Sequence, residues 1–194
     1  MKSSLTLPDG YEKLRTIDLQ KDKKSMIFVQ VLSLLLLIAM AAAGALWGPG
    51  ISALVEAKWK LLILAAGYIA YIILHELTHG VFMRIFSRAK VNYGFTGIYA
   101  FAGSSAYFGK AAYIVIALAP VVFWGLVLLG LNCLLDASWF WVIYGVQIGN
   151  ISGAAGDIYV TCLLCRMPAS LCVQDSGTDM QIYAPAQKTR EPLG

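Results

Sequence analysis

The sequence predicts an all-α polytopic membrane protein, with four transmembrane helices and a short β-hairpin or re-entrant segment between spans two and three. Three observations predict it. The 194-residue chain is 59% hydrophobic and only 13% charged, with a mean hydropathy of +0.69, whereas soluble domains carry about 25% charged and 45–50% apolar residues. Its charges are nearly absent from four stretches long enough to cross a bilayer, which takes about 20 apolar residues. Its basic residues gather on one side of those stretches. The same composition excludes disorder, which needs much charge and few apolar residues. Four cysteines are too few for a disulfide-stapled secreted scaffold.

The elements follow in order. Residues 1–25 form a mixed-charge tail. The first apolar run begins near Met26, too late and too long for a cleaved signal peptide. No charge lies between Lys24 and Glu56, which places span one at about 26–46. Between Lys60 and Arg84 the only charge is Glu76, giving span two at about 61–83. From Ser87 to Lys110 the chain is rich in Gly and aromatic residues. Gly94, Gly97 and Gly103 weaken a helix there, while Val91, Tyr93 and Phe95 suit a strand. Span three, about 112–135, contains Pro120, tolerable where neighbouring helices satisfy the freed backbone groups. Span four, about 138–165, contains one charge, Asp157, and residues 166–194 form a second tail. The whole chain reads as one integral-membrane domain, without internal repeats or low-complexity segments.

An even number of spans puts both tails on one face. With them lie Lys2, Lys13, Arg15, Lys21, Lys23, Lys24, Arg84, Arg88, Lys90, Lys110, Arg166, Lys188 and Arg190, thirteen of the 15 basic residues. That face is expected to be cytoplasmic, in the inner membrane of the cell. The asymmetry accounts for the net charge of +4, so no nucleic-acid partner is called for. Trp47, Trp59, Trp139 and Trp141 fall at the outer ends of spans, where interfacial anchors belong.

Ionisable groups inside spans are expensive and point to function. Both histidines of the chain, His75 and His79, lie in span two around Glu76, in the order His75-Glu76-Leu77-Thr78-His79. On a helix, residues four apart share a face, so both imidazoles can bind one metal ion. Catalytic zinc takes three protein ligands and leaves one position for water. Glu76, next to the first ligand, can reach that water and take its proton. For the third ligand, depth below the cytoplasmic boundary favours Asp157. It lies nine residues before Arg166, and the histidines are centred seven before Arg84, a match to about 3 Å at 1.5 Å per residue. The rival is a lone buried acid satisfied by a neighbouring hydroxyl or amide.

Gly149 and Gly153, with Ser152, Ala154, Ala155 and Gly156 around them, allow close helix packing at that point. Asn150 lies about two turns before Asp157. It can orient a substrate carbonyl or make an interhelical hydrogen bond, and the sequence leaves both open. Cys162 and Cys165 form a CxxC pair, but on an apolar helix end a structural or lipidated role outweighs a redox one.

These residues resemble a bacterial family of multi-span zincin peptidases, itself similar to the site-2 proteases. The likeness rests on His75-Glu76-Leu77-Thr78-His79-Gly80, the Gly-rich aromatic segment after it, the later span with Asn150, Gly153 and Asp157, and the tail from Asp179 to Pro185. It implies His75, His79 and Asp157 as ligands of one zinc ion and Glu76 as the base. Gly153 stands where the site-2 pattern has Pro, and Ile158 follows the acid where that pattern has Gly. The expectation is a membrane-embedded zinc metalloendopeptidase in the lipid bilayer, cutting protein or peptide substrates, including transmembrane segments, near the cytoplasmic face. Its rivals are a non-catalytic metal-binding accessory protein and a small transporter. The sequence is silent on oligomeric state.

Overall fold

Asp22 opens the first helix: its carboxylate accepts from the backbone N–H of Lys24 at 3.1 Å and of Ser25 at 3.4 Å, which satisfies donors that a helix start leaves unpaired. The computed structural model describes residues 3–19, 21–52, 54, 57–97 and 99–186. Lys2, Glu56, Lys188 and Arg190, used above for boundaries and orientation, lie outside them. Helix α1 spans Lys23–Trp47, α2 spans Trp59–Ser87 and α3 spans Lys110–Leu134. After a 3₁₀ turn at Ala137–Trp139 come α4, Phe140–Gly153, and α5, Ala155–Cys165.

Four stretches, Lys23–Trp47, Trp59–Ser87, Lys110–Leu134 and Ala137–Cys165, are helical, long and apolar enough to cross a membrane. The fourth is not the continuous helix expected for 138–165. Ser152 Oγ donates back to the Ile148 carbonyl at 2.8 Å, and Gly153 has no side chain to stiffen the turn. Both loosen a helix, and the chain stops at Gly153 and restarts at Ala155. The break brings Asp157 into the first turn of a new helix, α5.

This broken stretch sits among the other helices: α4 packs against α1, α2 and α3, and α5 against α1 and α3. Gly149 sets the α2–α4 approach, since a Cβ there would collide with the Tyr68 ring. At the opposite end Lys60 Nζ donates to the Ser138 carbonyl at 2.6 Å and lies over the Trp139 ring, tying the start of α2 to the start of α4. Outward faces are apolar: Val31, Leu34, Leu35 and Ile38 on α1, Ile69 and Ile73 on α2, Val122 and Leu126 on α3 are all exposed.

Among the described residues, six strands correct the all-α expectation. The hairpin between the second and third stretches is present as β2, Val91–Phe95, antiparallel to β3, Ala100–Ser104, with Val91 opposite Ser104 and Phe95 opposite Ala100. The rest come largely from the two segments read as tails: β1 is Tyr11–Ile17, β5 Cys172–Asp175 and β6 Met180–Pro185. With β4, Tyr107–Gly109, they form an antiparallel sheet in the order β1-β6-β5-β4. A core of Ile17, Met83, Phe108, Ile116, Leu164, Leu171, Val173 and Ile182 seals this sheet to the ends of α2, α3 and α5. Strands β1 and β6 pair residues from opposite ends of the chain, a contact that no local hydrophobic pattern announces.

Candidate metal centre

His75 and His79 meet because they are one turn apart on α2. Their Nε2 atoms lie 3.2 Å apart. Asp157, at the start of α5, places Oδ2 3.4 Å from His75 Nε2 and Oδ1 3.5 Å from His79 Nε2. One donor atom from each of the three falls within 4.8 Å of the others.

The protein sets the direction of both rings. The Nδ1 of His79 faces the Ile116 carbonyl at 2.9 Å. A carbonyl only accepts, so this nitrogen carries the proton. That carbonyl is available because its helical partner would be residue 120, and Pro120 has no N–H. The Nδ1 of His75 lies 2.8 Å from the Tyr71 hydroxyl, which donates its own proton to Asn150 Oδ1 at 2.7 Å. Asn150 is oriented in turn by its Nδ2, which donates to the Val121 carbonyl at 3.1 Å and to Gln147 Oε1 at 3.3 Å. The Tyr71 oxygen is therefore the acceptor for a His75 Nδ1–H. Both Nε2 lone pairs are left turned toward the Asp157 carboxylate.

Two imidazole lone pairs and a carboxylate facing one point, with no proton donor between them, repel one another unless a cation joins them. Nitrogen and carboxylate oxygen are the donors that zinc takes in catalytic sites, and each ring has the hydrogen-bonded second partner that metal-binding histidines usually have. The residues fit zinc.

Glu76 stands apart from this donor group. Its carboxylate lies near the backbone N–H of Ala102 on β3. Gly80 lets the hairpin come this close to α2, since a Cβ there would strike the Tyr93 hydroxyl. A cavity of about 370 Å³ opens beside Glu76, with His79, Ala100, Tyr113, Asp157 and Asp175 among its walls.

A family model described as “Putative zincin peptidase” matches residues 68–172, more than half of the chain. The chain belongs to that family. No curated protein and no solved structure matches it. The family name implies zinc, and the zincin match takes in Tyr71, both histidines, Glu76, Pro120, Asn150 and Asp157.

Asn150 is fully buried and makes interhelical hydrogen bonds to Tyr71 and Val121 besides one to Gln147, one step behind the histidines. Cys162 and Cys165 are exposed free thiols that contribute nothing to the donor group. Sequence reasoning missed Tyr71, although it lies one turn before His75 on the same face. It also missed Asp175, which comes from the tail and lies beyond the zincin match. This carboxylate accepts from the Tyr113 hydroxyl and, at 2.8 Å, from the Gly177 N–H. Burial holds Asp175 above the usual carboxylate range, with the two hydrogen bonds opposing.

Proposed function

We propose that the chain is a membrane-embedded zinc metalloendopeptidase, resembling the site-2 proteases, that hydrolyses peptide bonds of membrane or membrane-associated proteins near the cytoplasmic face. The observation that carries this reading is the convergence of His75 Nε2, His79 Nε2 and the Asp157 carboxylate, with Glu76 held next to them outside the ligand set. In this reading those three residues hold one zinc ion. Bound there, zinc supplies Lewis acidity that polarises a carbonyl and brings the pKa of water toward about 7.

The remaining work falls to the chain. Glu76, which lines the cavity, takes a proton from the attacking water and passes it to the leaving amine nitrogen. Strand β3 pairs with β2 along one edge, and among the described residues no strand pairs with its other edge. Ala100 and Ala102 line the cavity. A substrate unwound into an extended strand adds to that edge by main-chain hydrogen bonds, presenting its scissile bond to Glu76. The four apolar stretches and their apolar outer faces support a site within a membrane, in this reading the inner membrane, and the distribution of Lys and Arg supports cytoplasmic termini.

Glu76→Gln tests the proposal against a purely structural metal site. The amide is nearly isosteric, so purified variant should keep its zinc. It cannot accept a proton, so processing of membrane proteins should fall by the roughly 10²–10⁴-fold typical of a lost general base. His79→Ala should lose zinc and processing together. A Glu76→Gln strain with every wild-type cleavage product, beside a defective His79→Ala strain, means that the metal is structural.

A further inference from the structure

Two cavities meet at His75 and Glu76. The larger, already described, runs toward the Arg84 end of α2, past His79 to Met83 and under the turn at residues 177–180. The smaller, about 220 Å³, runs the opposite way along α2, past Tyr71 and Ile72 to Tyr68. Tyr99, Ala100 and Gly153 line both cavities beside His75 and Glu76. The reacting groups therefore stand at a waist between two chambers, with the edge of β3 running past it.

The chambers differ in chemistry. Asp175 and Asp179 reach the larger one. The smaller is walled by Tyr68, Tyr71, Ile72, Phe95 and Tyr99, and among the described residues its only charged or ionisable neighbours besides these tyrosines are His75 and Glu76 at the waist. The Tyr71 hydroxyl is turned away into its bonds with Asn150 and His75. Tyr68, Ile72 and Phe95 are also exposed at the outer surface, so the small chamber opens sideways between α2 and the hairpin.

Resting on the protease reading above, we propose that the small chamber is the pocket for a large apolar side chain next to the scissile bond, on the flank of the substrate that remains in the bilayer, and that Gly153 sets its size. Along a strand, successive side chains point to opposite faces and advance about 3.3 Å per residue. A substrate paired with Ala100 and Ala102 thus directs one flanking side chain through the waist at Gly153 into the aromatic chamber, while the other flank lies in the wider chamber toward the cytoplasm. Gly153 lines both chambers where they meet, and a Cβ there meets no atom within 4 Å, so the space beside it is open to a substrate side chain and a long side chain at this position would fill it. The direction follows from the helix, because Tyr68 and Ile72 lie on the side of His75 away from Arg84. Hydrophobic pockets of this kind discriminate by about 10–200-fold per methylene. The expected substrate carries Leu, Ile, Phe or Met at this position rather than Ser, Asn or a charge.

The test is mapping of new N-termini in membranes of cells carrying the full-length wild type, Glu76→Gln, Gly153→Leu or Tyr68→Ala, with zinc measured in each purified protein. Cleavage sites present in wild type and absent from Glu76→Gln define the products. They should have large apolar residues on the membrane-facing flank. Gly153→Leu should keep its zinc, lose these sites at least tenfold, and favour Ala or Ser there. Tyr68→Ala removes a wall and should extend the range to Trp, and it decides the matter if Gly153→Leu does not accumulate. Products that depend on Glu76 yet show no apolar preference, or a preference unmoved in both variants, overturn the pocket and leave the protease standing. If Glu76→Gln removes no product, the protease reading fails and the pocket with it.

Discussion

The Nδ1 of His79 lies 2.9 Å from the carbonyl oxygen of Ile116, the one carbonyl in α3 that Pro120 deprives of its helical N–H. A proline inside an apolar helix thus does chemical service: it exposes an acceptor at the level where an imidazole must be held. Pro120→Ala should raise the thermal midpoint of the protein, since an interior proline is unfavourable by about 3 kcal/mol relative to alanine. It should also weaken zinc binding by about tenfold, because the restored N–H of residue 120 competes for the same oxygen. Zinc titration of the purified variant checks this. Unchanged affinity would mean that the exposed carbonyl is incidental.

Tyr71→Phe cuts the other line of support. His75 Nδ1 loses its acceptor and Asn150 Oδ1 its donor, both inside the bundle. Zinc affinity should fall by about 10–100-fold, as it does when partners of metal-binding histidines are removed. Asn150→Leu should weaken zinc in the same direction with no contact to either ring. If the two variants bind zinc as wild type does, the hydrogen-bond relay does not orient His75.

Asp175 makes stability depend on pH. Its carboxyl titrates above the ordinary range in the folded protein, chiefly because it is enclosed. The folded state therefore holds this proton more tightly than the unfolded one. Stability from this group is greatest below the unfolded pKa, near 3.9, and declines as pH rises toward the higher folded value. Asp175→Asn cannot titrate, and thermal midpoints in detergent should lose that part of the slope between about pH 4 and the folded pKa. An unaltered pH profile would show that Asp175 titrates normally.

Orientation is checked independently of chemistry. A reactive tag at either terminus should be shielded from impermeant reagents in intact cells and labelled once the membrane is opened. The pairing of β1 with β6 adds a constraint, because residues 11–17 and 180–185 must lie on one side for the sheet to form. Labelling of both tags in intact cells would reverse the orientation, and labelling of just one would contradict the fold.

The amino-acid sequence by itself determined the four apolar stretches, and it pointed to a hairpin or re-entrant segment after the second and to Asp157 as the partner of His75 and His79. The reason is that each follows from quantities carried locally. Apolar transfer energies add along a segment, a four-residue spacing fixes a helix face, and very few acids lie inside the apolar stretches. Only the tertiary structure decided the sheet that joins the two chain ends, the break at Gly153, and which way each imidazole points. Those depend on partners far apart in the chain: Tyr71 finds Asn150 79 positions away, and His79 finds Ile116 37 positions away. Tyr11 pairs with Pro185 across all the helices that lie between them in the chain. A hydrogen bond of this kind is worth little until both ends are brought together and shielded from water. No residue announces it alone, so the orientation of the site appears only in the folded chain.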